Sequence, residues 1–310
     1  MGVFVFLPLV LPLTAWPIAR LAQQRLDPRA AARLLTAVAV VLAVSSTLCL
    51  ALIMVVGTAQ LPGNPLPDGW SDPEVRKAVP FDEVAGKVAI PALVAVAVAC
   101  GRTLWRHSRV RRQAVRALRG LPATQIAVLP DETPYAYALP SRERGRIVVS
   151  TAMLTCLDQH EREALFAHER THLVAHHHRF LLAAQLAARA NPFLRPLKTA
   201  IAFSAERWAD EAAARTVGDR RLVARAVGKA ALVSRPSPTQ SLAGFAAPGP
   251  VPRRVRALLE PPPDARTLPP TATAVGLALW TAAAGTTASA LSSANATVAL
   301  VSVLHAATPL

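Results

Sequence analysis

His168, Glu169 and His172 stand in the order H-E-x-x-H within His168-Glu169-Arg170-Thr171-His172. Residues four apart on a helix share a face, so both imidazoles can reach one metal ion. Glu169 sits on the flank of that face, where it can take a proton from water activated at the metal. The expected ion is Zn²⁺, which in catalytic sites takes three protein ligands and keeps the fourth position open.

The third ligand has competing candidates. His178 completes a longer spacing, His168-x3-His172-x5-His178, in which the chain must turn sharply where this sequence has Ala175. Continued as a helix, His178 lies about 280° round from His168 at 100° per residue and points away. No methionine follows Met153, so a downstream Met-turn is excluded. Glu206 is the other candidate. It shares a helical face with Asp210 at i, i+4, so one carboxylate can ligate the metal while the other accepts the far N–H of a ligand histidine and sets its tautomer. Glu211 is an alternative ligand, but it faces about 140° away from Glu206. His160, His176 and His177 have no motif partner and read as ordinary surface or core histidines.

The elements around these residues can be read from punctuation and periodicity. Asp158 and Glu161 make a capping box, and nothing from Gln159 to about His178 breaks a helix. Further helices are expected over 179–189, 205–217, 220–233 and 254–260. Before them, 125–129, 135–139 and 146–150 are short β-like runs separated by Pro130, Pro134, Pro140 and Gly145. Residues 235–252, rich in Pro, Ser and Gly, read as a loop. The fold class is therefore mainly α with a small β-sheet.

Composition places this domain on a membrane. Of 310 residues, 52% are hydrophobic and only 17% charged, which excludes a disordered chain and exceeds the apolar content of an ordinary soluble core. About four transmembrane helices are expected: 1–19, 32–56, 84–101 and one within 271–310 that leaves a C-terminal tail. Arg20, Arg25, Arg29 and Arg33 place the first connection inside, and Asp68, Asp72, Glu74, Asp82 and Glu83 place loop 57–83 outside. Seven arginines from Arg102 to Arg119, with no acid among them, then put the domain 102–270 in the cytoplasm and both termini outside. That arginine run abuts a span, so it reads as a face for anionic headgroups and no direct nucleic-acid contact is expected. Residues 180–188 are apolar but too short to cross, and either belong to a core or touch the bilayer. Cys49, Cys100 and Cys156 are too few and scattered for a disulfide framework. A transporter is disfavoured because no span holds an acid well inside it.

HERTH at 168–172 and ERWADEAAA at 206–214, preceded by the β-like RIVVSTAML at 146–154, resemble the BlaR/MecR-type integral-membrane zinc metallopeptidases (metallopeptidase family 56), distant relatives of HtpX-like proteases. The resemblance implies a cytoplasmic gluzincin-type α+β domain in which His168, His172 and Glu206 ligate zinc, Glu169 is the catalytic base and Asp210 supports a ligand. It further implies a signalling protease whose substrate is a protein or peptide, such as a transcriptional repressor. The antibiotic-sensing members carry a sensor domain after the last span, for which no room is expected here, so β-lactam sensing by that route is not expected. Substrate is expected to pair as an added strand along residues 146–150, at Ile147, Val148 and Val149. Two other readings remain: an HtpX-like quality-control protease and a catalytically silent membrane scaffold or receptor.

Overall fold

Prolines break the N-terminal apolar run before it can form one helix. In the computed structural model, which describes residues 6–59, 66–67, 70, 82–122, 124–141, 145–233, 251–262 and 274–306, this run is α1 (Leu7–Val10), a 3₁₀ turn over Leu11–Thr14 and α2 (Ala15–Arg25). Pro8 and Pro12 each open a helical segment, where a missing N–H is tolerated. The expected span over 1–19 is thus not a single helix, and residues 1–5 lie outside the described residues. Its path still climbs beside the next helix, α3 (Pro28–Ala59). Ala15, Ile18, Ala19 and Ala22 pack near Ala31–Ala43, while Phe6 and Leu9 reach Cys49, Leu52 and Ile53.

Asp27 starts α3 by accepting the Arg29 and Ala30 amides at 3.0 and 3.2 Å, with Pro28 behind it. Helix α4 (Asp82–Ala117) returns alongside. Gly57 and Gly86 mark the crossing, since a Cβ on either would overlap the other's backbone. The expected span 84–101 is the first half of α4, which carries the arginine run onward without a break. Of the acids expected to mark loop 57–83, Asp68, Asp72 and Glu74 lie outside the described residues, and Asp82 and Glu83 open α4.

After a turn at Gly120 (φ 84°) come β1 (Ile126–Leu129), β2 (Ala136–Leu139) and β3 (Arg146–Ser150). Strand β3 is central: Ile147 pairs with Ile126 of parallel β1 and with Ala138 of antiparallel β2. Ser150 accepts the Met153 amide at 3.1 Å and starts α5 (Thr151–Cys156), so the β-like run ends at Ser150 rather than 154. The expected capping box then opens α6 (Gln159–Val174). This helix stops short of His178 because His176 adopts the left-handed conformation (φ 54°) and α7 (His177–Ala190) leaves in a new direction.

Helix α8 (Arg195–Val217) is ten residues longer at its start than expected and ends at Gly218, whose φ of 75° suits a C-terminal cap. Helix α9 (Arg220–Val233) has the expected bounds. Most of the expected loop 235–252 lies outside the described residues, and Val251 and Pro252 already belong to α10 (Val251–Leu259). The chain closes with α11 (Ala274–Ala306).

Three helices among the described residues are long and apolar enough to cross a bilayer, in α3, α4 and α11. Leu300 and Leu304 of α11 pack with Cys49–Val56, whereas Ala282 packs with the cluster that holds Ala31–Ala43. Phe6, Ala59 and the end of α11 therefore share one end of the bundle. The arginines and the sheet-containing segment share the other. Helices α7 and α8 dock directly on α2 and α3 through Ala184, Ala187, Leu197 and Ile201. Residues 180–188 are thus part of a core that joins this segment to the spans.

Candidate metal centre

Helix α6 is fixed first at its N-terminus. Asp158 Oδ1 accepts the Glu161 amide at 2.9 Å, and Glu161 Oε2 accepts the Asp158 amide at 3.0 Å. Glu161 is fully buried and also pairs with Lys229 of α9 at 2.7 Å. With the helix held there, His168, Glu169 and His172 all point into the protein, none more than 3% exposed.

Helix α8 meets this face with Glu206. His168 Nε2 and His172 Nε2 lie 3.0 Å apart, and the Glu206 carboxylate oxygens stand 3.6 and 3.5 Å from them. A tetrahedral zinc with ligand bonds of about 2.0–2.1 Å requires its ligand atoms to lie about 3.3–3.4 Å apart. The three side chains therefore fit a zinc ion in composition and spacing, and among the described residues they are the group that could hold a metal ion.

The outward nitrogens of both histidines are also placed. Asp210, one turn after Glu206, holds Oδ1 3.0 Å from His168 Nδ1, as its i, i+4 spacing predicts. His177 Nδ1 stands 2.9 Å from His172 Nδ1. For His172 to ligate through Nε2 its proton must sit on Nδ1, so His177 accepts it. Burial pushes His177 down to about 3, which keeps it neutral for that role. Trp208 packs against its ring at 4.6 Å between centroids. His177 is therefore more than an ordinary core histidine. Nothing in its sequence position announced this, because the contact needs the turn at His176.

Arg254 of α10 is the second residue that spacing did not reveal. It is 5% exposed, forks onto Asp210 at 2.7 and 2.8 Å, and reaches Glu206 Oε2 at 3.0 Å. Burial opposes ionisation of Glu206, but Arg254, followed by His172 and His168, outweighs it and holds the carboxyl below its usual range. Asp210 is held down in the same way by Arg254 and His168 against burial. Glu169 behaves oppositely. Burial raises it to about 8, with Glu206 adding to the rise and His168, the Ala138 amide of β2 and Arg254 opposing it. Neither Glu169 oxygen makes a well-formed hydrogen bond to the protein. Burial would lower His168, yet Asp210 and Glu206 raise it to about 9, while His172 is pushed well below its usual value by burial. The cluster thus gathers carboxylate charge around nitrogens that bind a proton or a metal at the same atom.

The competing ligands fall away. Glu211 is turned to Arg207, at 3.0 Å, and to Arg220. His178 meets the His176 ring, away from the metal-ligating group. His160 is largely exposed beside Glu163. The predicted substrate strand is also corrected: Ile147, Val148 and Val149 are at most 2% exposed, and both hydrogen-bonding edges of β3 are occupied by β1 and β2. No added strand can pair there.

Residues 101–190 match the family model of peptidase family M48. The matched stretch runs from the middle of α4 through the sheet to the end of α7, so it holds His168, Glu169 and His172 and stops before Glu206. No curated protein and no solved structure matches the chain. Members of the family are zinc metallopeptidases. The M48 match, the ligand group and the three apolar helices together support a membrane-associated metalloprotease that uses zinc.

Proposed function

We propose that this chain is a membrane-integral zinc metalloendopeptidase that hydrolyses peptide bonds of a cytosolic or membrane-associated protein. The observation that carries the reading is the convergence of His168, His172 and Glu206 beside the buried Glu169. His168, His172 and Glu206 would hold zinc, which when bound would supply a Lewis acid for the scissile carbonyl and lower the pKa of water. Glu169 would accept a proton from the attacking water at its carboxylate and return it to the amine nitrogen, so that the carbonyl carbon gains the water oxygen as the C–N bond breaks, leaving a carboxylate and an amine. Asp210 and His177 hold the two imidazoles with Nε2 directed inward, and Arg254 keeps Glu206 and Asp210 ionised in a dry site.

The arginines at one end of α3 and α4 support a cytoplasmic catalytic domain with both termini across the membrane. The HERTH and ERWADEAAA motifs support the narrower reading of a regulatory protease with a repressor-like target. The direct docking of α7 and α8 on α3 favours a second reading, a quality-control protease of the HtpX type, because it sets the site beside bilayer-embedded helices.

Zinc content and cleavage of casein or of the chain itself, measured on detergent-purified full-length protein beside Glu169→Gln, test the proposal. The variant is expected to keep stoichiometric zinc and lose activity by ~10²–10⁴-fold. Absence of zinc and of cleavage from both proteins would overturn it in favour of a silent scaffold.

A further inference from the structure

A groove of about 990 Å³ lies between α4 and α7, on the opposite side of α7 from its docking on α3. Its two halves differ in chemistry. Val98 and its alanine neighbours line the end that belongs to the apolar run of α4. Arg102, Arg106 and Arg109 line the other end, with Trp105 among them, and Arg189 of α7 joins the lining nearer the level of Cys100. The run from Val84 to Gly101 is about 27 Å long at 1.5 Å per residue, close to the ~30 Å hydrocarbon thickness. The apolar half of the groove therefore sits at acyl-chain depth and the arginines at headgroup depth.

Four guanidinium groups share this groove, and no Asp or Glu among the described residues lines it. Among the described residues none of the four forms an ion pair. Arg109 packs on the Trp105 ring, 5.4 Å from its centroid, which orders one cation at the headgroup level without neutralising it. Buried arginines are matched by carboxylates, as Arg254 is by Asp210 and Glu206, whereas exposed arginines also gather without acids around Arg29, Arg33, Arg170 and Arg179 and around Arg20, Arg195 and Arg253. The α4–α7 groove differs from these in continuing along the apolar run of α4. Arg189 comes from a different helix than the other three, so the groove is assembled by tertiary packing rather than by one basic stretch. Its wall is held together where the Cys100 thiol approaches the Leu186 carbonyl at 3.8 Å.

We propose that this groove binds an acidic glycerophospholipid from the bilayer, its phosphate on the four arginines and an acyl chain along Val98. The ligand joins a span to α7, the helix that begins with His177 behind the metal ligand His172. The proposal rests on α4 crossing the bilayer and not on the peptidase reading, so zinc content and cleavage do not decide it.

The full-length protein in nanodiscs of phosphatidylcholine, with and without phosphatidylglycerol, provides the test, read by thermal unfolding and by the lipid retained in native mass spectrometry. Phosphatidylglycerol is expected to raise Tm and to stay bound. The double variant Arg106→Gln/Arg189→Gln should keep the Tm of the parent in pure phosphatidylcholine and lose most of the added shift. The double variant Arg116→Gln/Arg119→Gln, which removes the same charge outside the groove, should keep the shift. Equal losses in the two variants would mean diffuse surface attraction and overturn the proposal. An equal shift from millimolar inorganic phosphate in pure phosphatidylcholine would mean a free-anion site and overturn it too. Should Arg106→Gln/Arg189→Gln fail to fold, Val98→Trp fills the apolar half with every arginine in place, and retained phosphatidylglycerol in that variant would sink the idea. Failure of the parent to enter nanodiscs would overturn the bilayer reading itself, an outcome distinct from insertion without lipid preference.

Discussion

The metal centre and the α4–α7 groove both concentrate charge, yet they handle it in opposite ways. At the metal centre, Arg254, Glu206, Asp210 and the two ligand histidines are buried together, and each cation faces a carboxylate. In the groove, four exposed arginines face no acid among the described residues. Removing charges from water is costly unless partners are supplied within reach, so the first set must be complete inside the fold. Exposed charge carries no such demand, and its partner can be supplied by the surroundings. The contrast separates charge that tunes chemistry from charge that positions the protein on a surface.

The sharpest way to break this comparison is to remove the central cation. Arg254→Ala leaves Asp210 and Glu206 buried without their guanidinium and is expected to destabilise the protein by about 3–5 kcal/mol. The loss, measured by thermal unfolding, should be larger in chelator than with zinc present, since the metal restores positive charge at Glu206. Equal losses with and without chelator would show that Arg254 does not share Glu206 with the metal site.

Asp210→Asn comes next, with zinc affinity expected to fall by ~10–100-fold in competition with a chromophoric chelator. His177→Phe keeps the packing against Trp208 but removes the acceptor for His172, and should fall near ~10-fold, the lower end of that range. Affinity unchanged in His177→Phe would reduce that residue to core packing. The smallest effect is predicted for Arg102→Gln, which should leave zinc affinity and cleavage in detergent within error of the parent. A marked loss of zinc there would erase the distinction between the two regions.

The two carboxylates of α8 show how much local spacing can reveal. Glu206 and Asp210 had to share a face once α8 was helical, so their joint approach to the histidine pair followed from i, i+4 geometry. The capping box at Asp158 was equally local, because both of its hydrogen bonds close within four residues. Arg254 lies 44 residues from Asp210, beyond any periodicity, and only the packing of α10 against α8 brings it in. His177 needed the left-handed turn at His176, which a run free of Gly and Pro did not disclose. The substrate strand expected along residues 146–150 failed for a related reason. A β-like run shows its own pattern but not its neighbours, and β3 became central because β2 returns to its far side.

The apolar stretches, the arginine bias and H-E-x-x-H were therefore legible as linear facts, since bilayer thickness and helical pitch convert residue spacing directly into distance. The turn at His176 decided which histidine backs His172, and long-range packing decided which arginine neutralises Glu206 and that Arg189 joins the arginines of α4. The latter two pairings join helices far apart in the chain, and pitch says nothing about where separate helices meet.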